Sequence, residues 1–152
     1  MSNKTRTAQP GARASVPPAT PFRSRDQFRC SHAYQCVREI LEKPEVKPSY
    51  RILVNDLGIT IRRHGLSACF ALLERKGGNG RDGQAVALLL QHLAGSGVSV
   101  LQGVPGADIA EKVRELSLDE YMLATRELLA MAVWLKRAVQ ALINSEDEVT
   151  DA

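Results

Sequence analysis

Apolar residues recur every third or fourth position along most of the chain, and no run alternates convincingly one by one. The first periodic stretch predicts a helix over 25–43, with Cys30, Ala33, Tyr34, Val37, Ile40 and Leu41 on one face. Ser24 and Gln27 have the spacing of a capping box, in which hydroxyl and amide each satisfy a free backbone N–H at the helix start. Pro44 and Pro48 punctuate the next turn, and Pro48 suits the opening of a second helix over 48–64. There Tyr50, Leu53, Val54, Leu57 and Ile61 follow the i, i+3, i+4, i+7, i+11 series. Gly65 ends or kinks that helix. A third helix, 66–76, carries Leu66, Phe70 and Leu73, and Gly77 and Gly78 stop it. A fourth, 82–94, carries Val86, Leu89, Leu90 and Leu93. A Gly-rich connection over 95–106 holds a short extended piece at 98–101. A short charged helix over 107–116 and a long one over 118–144 complete the chain. The expected fold is all-α: a compact bundle of about five to six helices with a long C-terminal helix.

Two helices carry more than a core stripe. On the long one, Leu118, Tyr121, Met122, Leu128, Leu129, Val139 and Ile143 make the expected core face. Leu123, Ala130 and Trp134 populate the opposite side, near Arg126 and Arg137. A helix apolar nearly all round is central in its domain or is buried twice, the second time by a partner. Trp134 and Leu123 are the candidate protein-interface residues, because tryptophan is enriched at binding hot spots; core packing is the other reading of a lone Trp. On the second helix, Arg51, Asn55, Gly58 and Arg62 form a line that a 100° wheel sets opposite the apolar face, with Arg63 beside it. Gly58 would leave room for close approach to the backbone. A nucleic-acid phosphate backbone suits such a stripe; so does plain solvent.

Charge is unevenly spread. The net +3 is the excess within 25–144, where 16 basic residues face 13 acidic ones, because four uncompensated cations before residue 25 (Lys4, Arg6, Arg13, Arg23) cancel four acids after residue 144 (Glu146, Asp147, Glu148, Asp151). The expected organisation is a disordered basic arm over 1–24, a helical domain over 25–144 and a disordered acidic tail over 145–152. Four prolines in the arm break any targeting helix, no apolar run is long enough for a membrane span, and three cysteines argue against a disulfide framework. A reducing cytoplasm is the expected location.

No catalytic signature stands out. "KGGNGRDG" at 76–83 matches G-x-G-x-x-G, but a helix precedes it where a dinucleotide fingerprint needs a strand. It reads as a helix–helix connection, and no cofactor is expected. His32 with Cys36, and His64 with Cys69, each offer half a metal site at best. Small buried cysteines and surface histidines are the plainer expectation, and no metal is expected. Glu111 and Glu115 alternate with Lys112 and Arg114, as on a solvated face.

Three segments, "DQFRCSHAYQCV", "YRILVNDLGITIRRHGLSACFALLERKG" and "DEYMLATRELLAMAVWLKRAVQALI", together resemble the small subunit of the type III-B CRISPR Cmr effector complex. The similarity covers roughly 25–143, in order; the arm, the tail and the GGNGRDG loop fall outside it. The resemblance implies an all-helical, non-catalytic subunit of an antiviral ribonucleoprotein. Its partners would be backbone subunits bound to guide RNA, the large subunit, neighbouring copies of itself, and target RNA, with no membrane. Basic surfaces would hold the target where it pairs with the guide, through sugar-phosphate contacts that ignore sequence. The residues expected to do so are Arg51, Arg62, Arg63, Lys76, Arg126, Lys136 and Arg137. The competing expectations are a helical adaptor that binds only proteins and, further off, a small helical enzyme with an unrecognised site.

Overall fold

The computed structural model describes residues 24–78 and 80–144. The expectations for the arm and the tail lie outside this range, Ser24 apart. Six α-helices follow in order: α1 (Arg25–Leu41), α2 (Lys47–His64), α3 (Leu66–Lys76), α4 (Arg81–Ala94), α5 (Ile109–Glu115) and α6 (Leu118–Val139). There is no strand among the described residues. The stretch expected to be extended is a 3-10 turn, Ser99–Leu101, and a second 3-10 turn, Gly106–Asp108, precedes α5. Beyond Val139 the long helix loosens into a π turn, Gln140–Asn144.

The helix ends are written locally. Ser24 Oγ accepts from the Gln27 N–H at 3.1 Å while Gln27 Oε1 accepts from the Ser24 N–H at 2.8 Å. Ser117 and Glu120 form the same reciprocal box at the start of α6, which fixes a sharp corner after α5. Gly65, at φ +89°, caps α2 and opens α3 at once, a conformation that favours glycine.

The core is assembled from the expected faces of α2, α3 and α4: Tyr50, Leu53, Val54, Leu57, Ile61, Leu66, Phe70, Leu73, Val86, Leu89, Leu90 and Leu93 are all buried. α6 threads between α1 and α2. Arg25 meets Glu127 and Cys30 borders Trp134, so α1 runs parallel to α6. Gly58 faces Ala132. Nearer the start of α6, the Tyr121 hydroxyl accepts from the Ser67 N–H at 2.9 Å; α2 therefore runs antiparallel to α6.

The core face of α6 differs from the expected one. Leu118 and Met122 are 73% and 61% exposed, while Ala124, Met131, Ala132, Leu135 and Ala138 are buried beside Leu128, Val139 and Ile143. Alanines interleaved with Leu128, Met131 and Leu135 on the packed side let α6 approach α1 and α2 closely. Gly58 belongs to the same close crossing. A Cβ built on it would lie 3.8 Å from Ala132 Cβ, an ordinary contact. Gly58→Ala is therefore expected to stabilise the domain by about 0.5–1 kcal/mol, the helix-interior cost of glycine. Urea denaturation measures this; a loss of stability would mean that the helices cannot accommodate the methyl group.

Candidate nucleic-acid and protein interface

The cations expected to bind RNA do not gather into one patch. On α2 the Arg51–Asn55–Gly58–Arg62 line flanks the core instead of lying opposite it, because Gly58 in its middle packs against α6. The helix face opposite the core carries Ile52 and Ile59, both exposed. Arg51 is half-buried and already engaged. Arg62 and Arg63 are exposed in the last turn of α2. The antiparallel register sets Arg62 at the level of the Thr125–Leu129 turn of α6 and Arg51 at the level of Lys136. Arg63 projects away from that line, and Lys76 lies across α2 beside Ile52 and Leu72. Among the described residues Arg62, Arg63, Lys76, Arg126 and Lys136 form no ion pair. Arg137 stacks on the Trp134 ring at 4.7 Å from its centroid, so both are partly spent on each other.

The outward side of α6 is apolar at its N-terminal half. Tyr121, Met122, Leu123, Thr125 and Leu129 line an open groove of about 750 Å³ edged by Asp119 and Arg126, and the exposed Leu118 precedes it in the chain. Trp134 is half-buried and borders a shallower depression with Asp26, Gln27, Cys30 and Ser31 of α1. The two residues expected at a protein interface, Leu123 and Trp134, thus stand on one flank of α6 but line separate depressions.

Catalytic chemistry finds little to work with. Cys36 and Cys69 are buried, and burial pushes their thiols up to about 12 and about 11, far from a reactive thiolate. No group of three or more His, Cys, Asp or Glu that could hold a metal occurs among the described residues. His32 Nε2 and Cys36 Sγ do approach to 3.4 Å, but His32 donates from that nitrogen to the His92 carbonyl at 2.9 Å. His64 is exposed while Cys69 is buried, so they do not converge.

Of the histidines expected at the surface, His64 is exposed and His32 half-buried; His92, for which the sequence raised no expectation, is the buried one. It is buried in α4 and joins three helices: the Tyr50 hydroxyl lies 2.7 Å from Nδ1 and the Glu39 carboxylate 3.1 Å from Nε2. With Glu39 accepting from Nε2–H, Nδ1 is left to accept from Tyr50. Burial holds the His92 pKa below its ordinary value, and Glu39 opposes that only in part. The arrangement copies the geometry of a catalytic relay, yet Tyr50 is fully buried, His92 and nearby Cys36 are nearly so, and Glu39 alone of the three partners reaches solvent. It is a structural clamp. No local pattern announces it, since the partners are 42 and 53 residues apart.

A family model for CRISPR-associated proteins, Cas_Cmr5, matches residues 25–142. The chain belongs to this Cas_Cmr5 family. It is 36% identical over 122 residues to the CRISPR system Cmr subunit Cmr5 of Thermus thermophilus, covering 80% of this chain and 98% of that protein. It is also similar to the crystal structure of a CRISPR-associated Cmr5 family protein from the same organism, with a TM-score of 0.63 and 32% identity over 79% of this chain and 98% of that one. The resemblance read from the three segments is thereby borne out at the level of the family. The Cas_Cmr5 match spans all six helices and the π turn as far as Leu142, and begins at Arg25, just after the first capping serine. Among the described residues no helix is long and apolar enough to cross a membrane.

Proposed function

We propose that this chain is a non-catalytic structural subunit of a type III-B CRISPR (Cmr) ribonucleoprotein effector complex acting in antiviral defence in the cytoplasm. It stacks with neighbouring copies in the inner filament, contacts the large subunit and the backbone subunits on guide RNA, and helps hold target RNA by sequence-independent backbone contacts. Beyond family membership, one observation carries this reading. α6 spends one face on its own core and exposes a second apolar face at Leu118, Met122 and Leu123, bordered by the unpaired Arg126. A second set of exposed apolar residues, Ile52 and Ile59 on α2 and Leu72 on α3, lies outside the α6 groove. Two dissimilar patches on one chain suit head-to-tail stacking, which builds open filaments, better than a closed two-fold dimer.

The RNA contacts are assigned to the cations without ion-pair partners. Arg62, Arg126 and Lys136 border the α2–α6 side, and Arg63 and Lys76 the α3 side. Replacing Arg62, Arg126 and Lys136 by alanine is expected to leave the fold intact and to weaken target retention by the assembled complex, to a similar extent for unrelated target sequences. Each lost phosphate contact lowers the slope of log affinity against log salt by about 0.7 for a single strand. Filter binding across a salt series reads both quantities. Normal assembly with unchanged affinity and slope would favour the protein-only adaptor, a reading supported by the apolar character of the α6 groove and by the division of the cations into two sets.

A further inference from the structure

A second groove, of about 450 Å³, opens between the first turns of α1, the Ser96–Gln102 stretch and the middle of α6. It lies on the α1 side of α6, away from the α2 flank that carries Arg62. Phe28, which is not among the residues of the expected α1 core face, is 43% exposed here. Its ring stacks parallel to His32, with centroids 5.9 Å apart and planes 4° apart. His32 is held in turn by its hydrogen bond to the His92 carbonyl. On another side Phe28 closes on Gly97, whose φ is +83°; a Cβ there would fall 2.8 Å from Phe28 Cε1. The glycine therefore keeps the loop against the ring with no side chain between them. Phe28 is a braced aromatic platform that still meets solvent.

Glu127 lines the same groove from α6 and is only 9% exposed. A buried carboxylate normally collects short hydrogen bonds, because losing water is costly for a charge. Glu127 has one long contact, 3.5 Å from Oε1 to Nη1 of Arg25, and that arginine side chain is 79% exposed. No other hydrogen bond reaches the carboxylate among the described residues. Neither of its oxygens is among the fully enclosed atoms that lack partners, so the unused acceptor capacity faces the groove. Ser99 and Gln102 add exposed polar groups to the lining.

We propose that this groove is a base pocket for an unpaired guanine nucleotide of RNA. The three features ask for a flat π surface, for two N–H donors side by side, and for an anion near Arg25. Guanine alone among the four bases presents adjacent donors, N1–H and the N2 amino group, on one edge, and a carboxylate accepts both at once. Adenine and cytosine each set a ring-nitrogen acceptor beside their amino group, and uracil flanks its single N–H with two carbonyls, so each would turn a lone pair toward Glu127. The base extends the His32–Phe28 stack, as single-stranded RNA is commonly held on aromatic side chains. Arg25 swings from Glu127 to the phosphate, which its exposure permits. The pocket rests on the RNA-binding reading above and adds one base-dependent contact to contacts that are otherwise indifferent to sequence.

The test is titration of the full chain with GMP, AMP, CMP and UMP by saturation-transfer NMR and calorimetry, with thermal melts to confirm folding of each variant. GMP is expected to bind at least about tenfold more tightly than the other three, within the range a bidentate base contact supplies. E127Q is expected to erase that preference while leaving AMP binding unchanged, and F28A to weaken all four nucleotides. Equal affinity for the four nucleotides, or no saturable GMP signal up to about 10 mM, overturns the proposal on the wild-type protein alone. Equal affinities that vanish with added salt would leave the phosphate-contact reading standing and remove the pocket. Selective GMP binding by a chain whose assembled complex shows no dependence on Arg62, Arg126 and Lys136 would do the opposite.

Discussion

The domain is expected to lose stability as the pH falls below the ordinary imidazole value of 6.5, and His92→Ala is expected to remove that part of the dependence. His92 sits between Tyr50 and Glu39 in a dry place, and burial lowers its pKa, with Glu39 opposing and the nearby His32 adding slightly to the shift. The unfolded chain therefore takes up a proton near 6.5 that the folded chain still refuses. Below 6.5 the proton favours unfolding, and the lost stability accumulates until the folded imidazole also titrates. Protonation also reverses the Tyr50 bond: Nδ1 becomes the donor, and the buried hydroxyl proton loses its acceptor. The alanine variant is expected to be less stable at neutral pH by about 3 kcal/mol, from the cavity and the orphaned Tyr50 hydroxyl. Tyr50→Phe leaves Nδ1 unpaired and is expected to cost about 1–3 kcal/mol. Urea melts at several pH values between neutrality and mild acid measure all three chains. Parallel pH profiles for wild type and His92→Ala would show that the imidazole is not the titrating group.

This clamp marks where local pattern ceases to inform. The helices of the core were legible because a 3.6-residue period is a local property: the faces of α2, α3 and α4 read from the sequence are the faces that are buried. The capping box at Ser24 was legible for the same reason, and Ser117 with Glu120 carried an equal signal for the start of α6. The His92 contacts depend on three helices meeting, and nothing in the residues around any one of them reports the other two. α6 failed differently. A helix apolar on several sides offers more than one plausible core face, and bulk pointed to Leu118 and Met122. The packing buries Ala124, Ala132 and Ala138 alongside Leu128, Met131 and Leu135 instead, because close helix crossings need small side chains at the points of contact. Gly58 was misread on the same ground: its missing side chain serves the neighbouring helix rather than an approaching ligand. Of the residues named for the candidate interface, Arg62, Arg63, Lys76, Arg126, Arg137 and Leu123 are exposed, while Arg51, Trp134 and Lys136 are half-buried. The sequence did not reveal that α2 separates Arg62 from Lys76, or that Phe28 and Glu127 share one groove.

The exposure of Leu118 and Met122 makes the second large effect an effect on assembly alone. Replacing both by aspartate is expected to leave the isolated domain folded, with a stability change within about 0.5 kcal/mol per site, as for other surface positions. The new charges do not oppose the start of α6. Extra acid in a first helical turn is favourable, and Leu118 and Met122 fall in the first and second turns. Assembly should respond far more strongly. A leucine or methionine that fills a partner's pocket contributes about 2 kcal/mol or more when it acts as a hot spot, and two buried aspartates without partners add a desolvation penalty to that loss. Incorporation of the variant at positions where this face must dock on a neighbour is therefore expected to fall by about a hundredfold or more in competition with wild type, leaving at most an end position open to it. Mixing equal amounts of tagged variant and untagged wild type during reconstitution, then comparing their ratio inside purified complexes by mass spectrometry, reads the effect directly. Ile52→Asp with Ile59→Asp tests the second apolar set by the same ratio. In a head-to-tail stack each double variant blocks only one side, so either one can still occupy an end position but cannot extend the filament past it. Complexes truncated at a single added copy would establish that polarity. Incorporation of both variants at wild-type ratio and full length would show that the two apolar sets are solvated surface and that copies do not stack through them.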